Sequence, residues 1–150
     1  MAVSPAPRAR RLVLFDVENS SRVEHITRVL DHLALGTLDR DTQLVAVGNW
    51  RVVSQETASL LSQRGARLVH SAPATGVKDW SDLRIAVAAG LWLGDARPGD
   101  QLTIMTDDQA FDAVGDVAAS LGVTFRRLSC RALAAAERPR HGRGRATAAP

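Results

Sequence analysis

The chain has 150 residues, 45% apolar and 23% charged, with a net charge of +3, which suits one domain with a real core. No apolar run reaches the ~18 residues of a membrane span, and the arginine-bearing start is followed by no apolar stretch of signal-peptide type. Cys130 is the one cysteine, so no disulfide partner and no cysteine metal cage are expected, and the expected compartment is the cytoplasm.

Charge is spread unevenly. Arg8, Arg10 and Arg11 lie at the front, and Arg138, Arg140, Arg143 and Arg145 at the back, and neither end, 1–11 or 138–150, contains an acid. Subtracting those seven charges from +3 leaves −4 for residues 12–137. Residues 1–10 and 138–150, rich in Pro, Arg, Gly and Ala, read as disordered basic tails on a domain spanning 11–137. Basic ends on a mildly acidic body suit a polyanion held by the tails. They also suit plain solubilising ends.

The first strand is expected at 11–16, where Leu12 to Phe15 form a short apolar run ending in Asp16. Ser20 or Ser21 can cap a helix carrying Val23, Ile26, Val29, Leu30 and Leu33, which Gly36 ends. A buried strand follows at 43–48, then Asn49, Trp50 and Arg51. Ser54 caps a second helix that runs to Gly65. The third strand is expected at 66–71 and a loop at 71–77. A third helix starts near Trp80 or Ser81 and reaches Leu93, with Leu83, Val87, Ala88 and Leu91 expected to face the core. Pro98 and Gly99 turn the chain into a strand at 101–106. A helix from about Asp108 to Gly122, a strand at 123–128 and a short helix at 130–137 complete the series. Strands alternating with helices predict an α/β fold: a Rossmann-like, doubly wound sheet of about five mainly parallel strands with helices on both faces. The unbroken apolar strands ending at Asp16, Gly48 and Thr106 are expected to be central.

Ligands of such sheets bind beyond the carboxyl ends of the strands. Asp16 ends the first strand, and Thr106, Asp107 and Asp108 end the fourth. Asp82 lies in the first turn of the third helix, and Asp112 lies one turn beyond Asp108. If the first and fourth strands are neighbours, these acids converge. Close carboxylates repel one another unless a cation intervenes. For an all-oxygen cluster that cation is Mg²⁺ or Mn²⁺, which can activate water and stabilise charge on a phosphodiester. Each acid also has a plain structural role: Asp82 and Asp108 suit helix starts, and Asp112 suits a solvated surface.

Three stretches carry a resemblance. LVLFDVENSS resembles the opening of the PIN-like superfamily in its NYN branch, with Asp16, Glu18 and Asn19 forming the Asp-x-Glu-Asn element. VKDWSDLRIAVAAGLWLG resembles the middle motif, with Asp82 the better match and Asp79 the lesser. LTIMTDDQAFDAVGDVAASLGVTFRRL resembles the third motif through Thr106, Asp108, Phe111 and Asp112. The resemblance covers about residues 11–130 and implies a metal-dependent ribonuclease of PIN-like type. It implies Asp16, Asp82, Asp108 and Asp112 as the catalytic, Mg²⁺- or Mn²⁺-holding acids. One departure is Ala110, where many NYN members carry another acid; Asp112 or Asp107 is the candidate replacement.

RNA is the partner this reading implies, with a homo-oligomer left open. Asn19 and Thr106 can hydrogen-bond near the acids. Lys78 and Arg51 supply positive charge, and Trp50 can stack on an unpaired base or simply pack. Trp80 has the same two roles, and Trp92 reads as core. Among the histidines only His70, at a strand end, is placed to matter. Two rivals stand beside the nuclease. One is a non-catalytic PIN-like module that binds RNA or a protein, which Ala110 favours. The other is a receiver-like aspartate domain, which lacks the expected lysine because Arg126 and Arg127 follow the last strand.

Overall fold

Successive residues of a strand face opposite sides of its sheet, and the first strand uses this to serve two cores. Leu12 and Leu14 enter one apolar cluster, and Val13 and Phe15 enter the other. A strand buried on both sides belongs inside a sheet. In the computed structural model, which describes residues 8–17, 22–33, 40–72, 77 and 79–137, β1 (Arg11–Asp16) is the middle strand of five.

The elements follow in strict alternation: α1 (Val23–His32), β2 (Thr42–Gly48), α2 (Gln55–Gln63), β3 (Arg67–His70), α3 (Trp80–Leu93), β4 (Gln101–Met105), a 3-10 turn (Gln109–Phe111), α4 (Asp112–Ser120), β5 (Thr124–Leu128) and α5 (Cys130–Glu137). The sheet order is β3-β2-β1-β4-β5, and every pairing is parallel. β2, β1 and β4 are the three inner strands, as their apolar runs, broken in β4 only by the buried Thr103, require. Helices α1, α2 and α5 cover one face through Ile26, Val29, Leu30, Leu61 and Cys130. Helices α3 and α4 cover the other through Ile85, Ala89, Leu93 and Ala118. This is a Rossmann-like, doubly wound α/β sheet. Among the described residues no helix is long and apolar enough to cross a membrane, and Cys130 is buried and in no disulfide.

Local chemistry explains most boundaries. The Ser54 hydroxyl caps α2 by accepting the Thr57 amide at 3.2 Å. The turn between α4 and β5 needs Gly122 twice over. Its φ is +73°, and an added Cβ would sit 3.0 Å from Pro98 Cβ. The expected caps Ser20 and Ser21 and the expected stop at Gly36 lie outside the described residues, as do 1–7 and 138–150 of the basic tails.

Two expectations are corrected. Helix α3 is turned the other way: Ser81, Ile85, Ala89 and Leu93 are buried. Leu83, Val87 and Leu91 face outward, and Ala88 is half-buried. α3 is apolar almost all round, so periodicity could not select its inner face. The first basic group is also not all tail. The Arg10 amide donates to Asp100 Oδ1 at 2.8 Å, and its guanidinium donates to the Asp95 carbonyl at 2.7 Å. The same guanidinium lies 5.4 Å from the Trp92 ring centre, so Trp92 is half-buried under an arginine.

Candidate active site

Because all five strands are parallel, their carboxyl ends share one edge of the sheet. From β1 the chain winds one way to β2 and β3, while β4 and β5 lie on its other side. The crevice between the ends of β1 and β4 is therefore the topological switch point, where sheets of this kind bind ligands. β1 and β4 are in register up to Phe15 opposite Met105, which puts Asp16 beside Thr106.

Strand parity aims these side chains. Asp16 has the parity of Leu12 and Leu14, and Thr106 that of Leu102 and Ile104, so both belong to the face covered by α3 and α4. Asp16 is only 2% exposed, and Thr106 is equally buried. Asp82, in the first turn of α3, is on that helix's inner side, one turn before Ile85. Its carboxyl hydrogen-bonds both Asp16 and Asp108. Three acids from β1, α3 and the end of β4 thus meet at one point.

Burial, followed by the negative charges of Asp108 and Asp79, raises the Asp82 carboxyl above its ordinary range; its bond to Asp16 pulls the other way. Among the described residues no group of three or more His, Cys, Asp or Glu side chains is placed to hold a metal ion. The donors that gather here are all oxygen and carry like charge, the chemistry that a hard divalent cation would neutralise. Asp16, Asp82 and Asp108 would be its ligands only if their side chains drew closer together than they stand.

Asp108 has a second task. Its Oδ1 accepts the Ala110 amide at 2.9 Å, starting the 3-10 turn, while its own amide donates to the Thr106 hydroxyl at 3.2 Å. Those two bonds fix the loop after β4 and explain the buried threonine. Asp79, the lesser match in the sequence, sits at φ +60° before α3 and makes no side-chain cap. It adds negative charge to the cluster instead.

The other candidates fall elsewhere. Asp112 is turned to β5, where its Oδ1 accepts from Arg127 Nε at 2.9 Å, and is not joined to the three acids. Asp107 lies 3.9 Å from Arg131. Ala110 is exposed. Trp50 is half-buried, with its indole N–H donating to the Val69 carbonyl at 2.9 Å, and it packs against the core. Arg51 is exposed beyond the end of β2. His70 Nδ1 accepts the Trp50 amide at 3.3 Å. Asn19, Lys78 and Glu18 lie outside the described residues.

Two hydroxyls escaped the sequence reading. Ser71, just after β3, and Ser81, beside Asp82, are buried with no hydrogen-bond partner among the described residues. Ser71 lines a cleft of about 590 Å³ with His70, Trp80 and Arg84, beside the first turn of α3. A serine after a short strand has no signature beyond that of a loop, so no pattern could have selected it.

No protein-family model matches the chain, and no curated protein is significantly similar to it.

Proposed function

We propose that this domain is a metal-dependent endoribonuclease of PIN-like type, with Asp16, Asp82 and Asp108 as its metal-holding acids. The observation that carries the reading is the meeting of these carboxyls at the switch point, with Asp82 held above its ordinary protonation range. A bound Mg²⁺ or Mn²⁺ would supply an activated water and charge stabilisation at a phosphodiester. Asp16, buried and fixed by β1, sets the floor of the site. Asp108 is held by its bond to the Ala110 amide and by the Thr106 hydroxyl. Asp82, in the first turn of α3, closes the site from the helix side. The arginine-rich ends, with Arg51 and Lys78, would hold the RNA backbone without reading sequence. Asn19, three residues after Asp16 in the chain, would offer an amide to the substrate, and the site of action would be the cytoplasm.

One observation favours a second reading, a non-catalytic module that binds RNA or protein. Asp112 is engaged by Arg127, and Ala110 adds no acid, so three carboxyls stand where the motifs would supply four. The deciding experiment incubates the full chain with mixed single-stranded and structured RNAs, with Mg²⁺, with Mn²⁺ or with chelator. Cleavage that needs the metal and is lost in Asp16→Asn supports the nuclease. Absence of cleavage, with RNA still retained, selects the module.

A further inference from the structure

The outward face of α3 has no counterpart elsewhere in the described residues. Trp80 is 46% exposed, Leu83 66%, Val87 59% and Leu91 76%. At 3.6 residues per turn these four lie in one stripe along the side opposite Ile85 and Ala89. A helix apolar on both sides is ordinarily covered on both. The sheet beside it is open as well. A groove of about 360 Å³ runs between α3 and the strands, lined by Val45, Val69, Arg84, Val87 and Leu91 among others.

We propose that α3 pairs with α3 of a second copy of this chain, antiparallel, about a two-fold axis at Val87. Two arguments select a second copy. The first is self-complementarity, which a two-fold contact demands of one surface. With Val87 on the axis, Leu83 meets the other copy's Leu91, Arg84 meets Gly90, and Trp80 meets Gly94. The bulky end of the stripe thus faces its small end. A Cβ built on Gly90 meets nothing within 4 Å, so this end is an open notch. The second argument is area. The stripe leaves roughly 500 Å² of apolar surface per copy, near the upper limit for a lone monomer. A standard interface buries ~800 Å² per partner around an apolar centre, and the stripe would supply that centre. The pairing does not depend on the nuclease reading, since no stripe residue belongs to the acid cluster.

The test is sedimentation of the full chain at tens of micromolar, beside a Leu83→Glu/Leu91→Glu variant and a Val87→Cys variant under mild oxidation. A dimer in the wild type, weakened about tenfold or more in the double variant with its circular dichroism unchanged, supports the pairing. So does a disulfide-linked dimer of Val87→Cys alongside none of Val52→Cys, which is 78% exposed and outside the stripe. A wild type that stays monomeric overturns it, whether or not the stripe then captures another protein. A dimer that survives the double substitution, or equal cross-linking at both cysteines, overturns it too.

Discussion

The carboxyl of Asp82, in the first turn of α3, is hydrogen-bonded to that of Asp108, at the end of β4. Each is also tied to a different constraint: Asp82 to Asp16, and Asp108 to the backbone of its own turn. The pair is therefore held together although its charges repel, and this opposition sets the first three predictions.

Asp82→Asn should raise the melting temperature of the metal-free protein at neutral pH. The folded-state pKa of Asp82 is raised, so its stabilising contribution is fully present below the unfolded value and is lost as pH rises through the folded one. Wild-type stability should accordingly fall as pH climbs from the ordinary carboxylate range toward neutrality, and the variant should flatten that limb. Melting curves from pH 4 to 8 in chelator read the difference. An unchanged or steeper slope in the variant would show that Asp82 carries no such strain.

Mn²⁺ should raise the wild-type melting temperature, since a ligand bound only by the folded state stabilises it by about 2.7 kcal/mol at a hundred times its dissociation constant. Asp16→Asn should abolish that rise. The check is thermal melting and calorimetric titration of both proteins. A flat wild-type response removes the metal from the account and leaves the binding module.

Asp108→Asn should lose metal-dependent cleavage by about a hundredfold or more while keeping its fold, because an amide oxygen can still accept the Ala110 amide. Asp108→Ala should in addition lose about 1 kcal/mol of stability with the cap. Asp112→Asn should leave cleavage nearly intact, since Asp112 is paired with Arg127. Rates for the three variants, normalised to folded fraction, test the assignment. Equal losses at 108 and 112 would mean that Asp112 swings inward to act.

At the opposite edge of the sheet, Asp100→Ala should destabilise the domain by about 3 kcal/mol. Burial alone would raise this carboxyl. The Arg97 and Arg10 amides and the Arg10 charge outweigh burial and hold it below the ordinary range. Its contribution is present above the unfolded value and lost as pH falls through the folded one. The variant should therefore show a weaker acid limb in urea melts below pH 4. A loss under 1 kcal/mol would contradict the role.

Gly115→Ala should destabilise by about 1–3 kcal/mol, although alanine is the better helix former by about 1 kcal/mol. An added Cβ would lie 2.5 Å from Phe125 Cδ1, so α4 or the ring must shift. Denaturant unfolding reads the sign directly.

The alternation of strand and helix was legible because Leu12–Phe15 and Leu44–Val47 are short apolar runs between polar breaks, and Leu102–Met105 is interrupted only by Thr103. The order of the strands was not legible, since nothing in β1 states whether β4 or β5 lies beside it. The acids at 16, 82 and 108 could be marked as strand-end and helix-start residues. Their meeting depends on that order and on the rotation of α3. The rotation was misread because Leu83, Val87 and Leu91 repeat with the same period as Ile85, Ala89 and Leu93. The partner of Asp112 was not legible for a different reason: helical spacing places it near Asp108 but cannot see Arg127 arriving from β5.

The place of β1 in the middle of the sheet governs how the molecule assembles. The first strand made is flanked on one side by β4, and Arg10 reaches Asp100 across a sequence separation of 90 residues. The early half-sheet of β1, β2 and β3 therefore has one side of its central strand unpaired until β4 arrives, a long-range closure that slows folding. Asp16 meets Asp108 only at that step. On a ribosome the growing chain carries Asp16 and Asp82 before their third partner exists, so this cluster cannot form until the fourth strand has emerged.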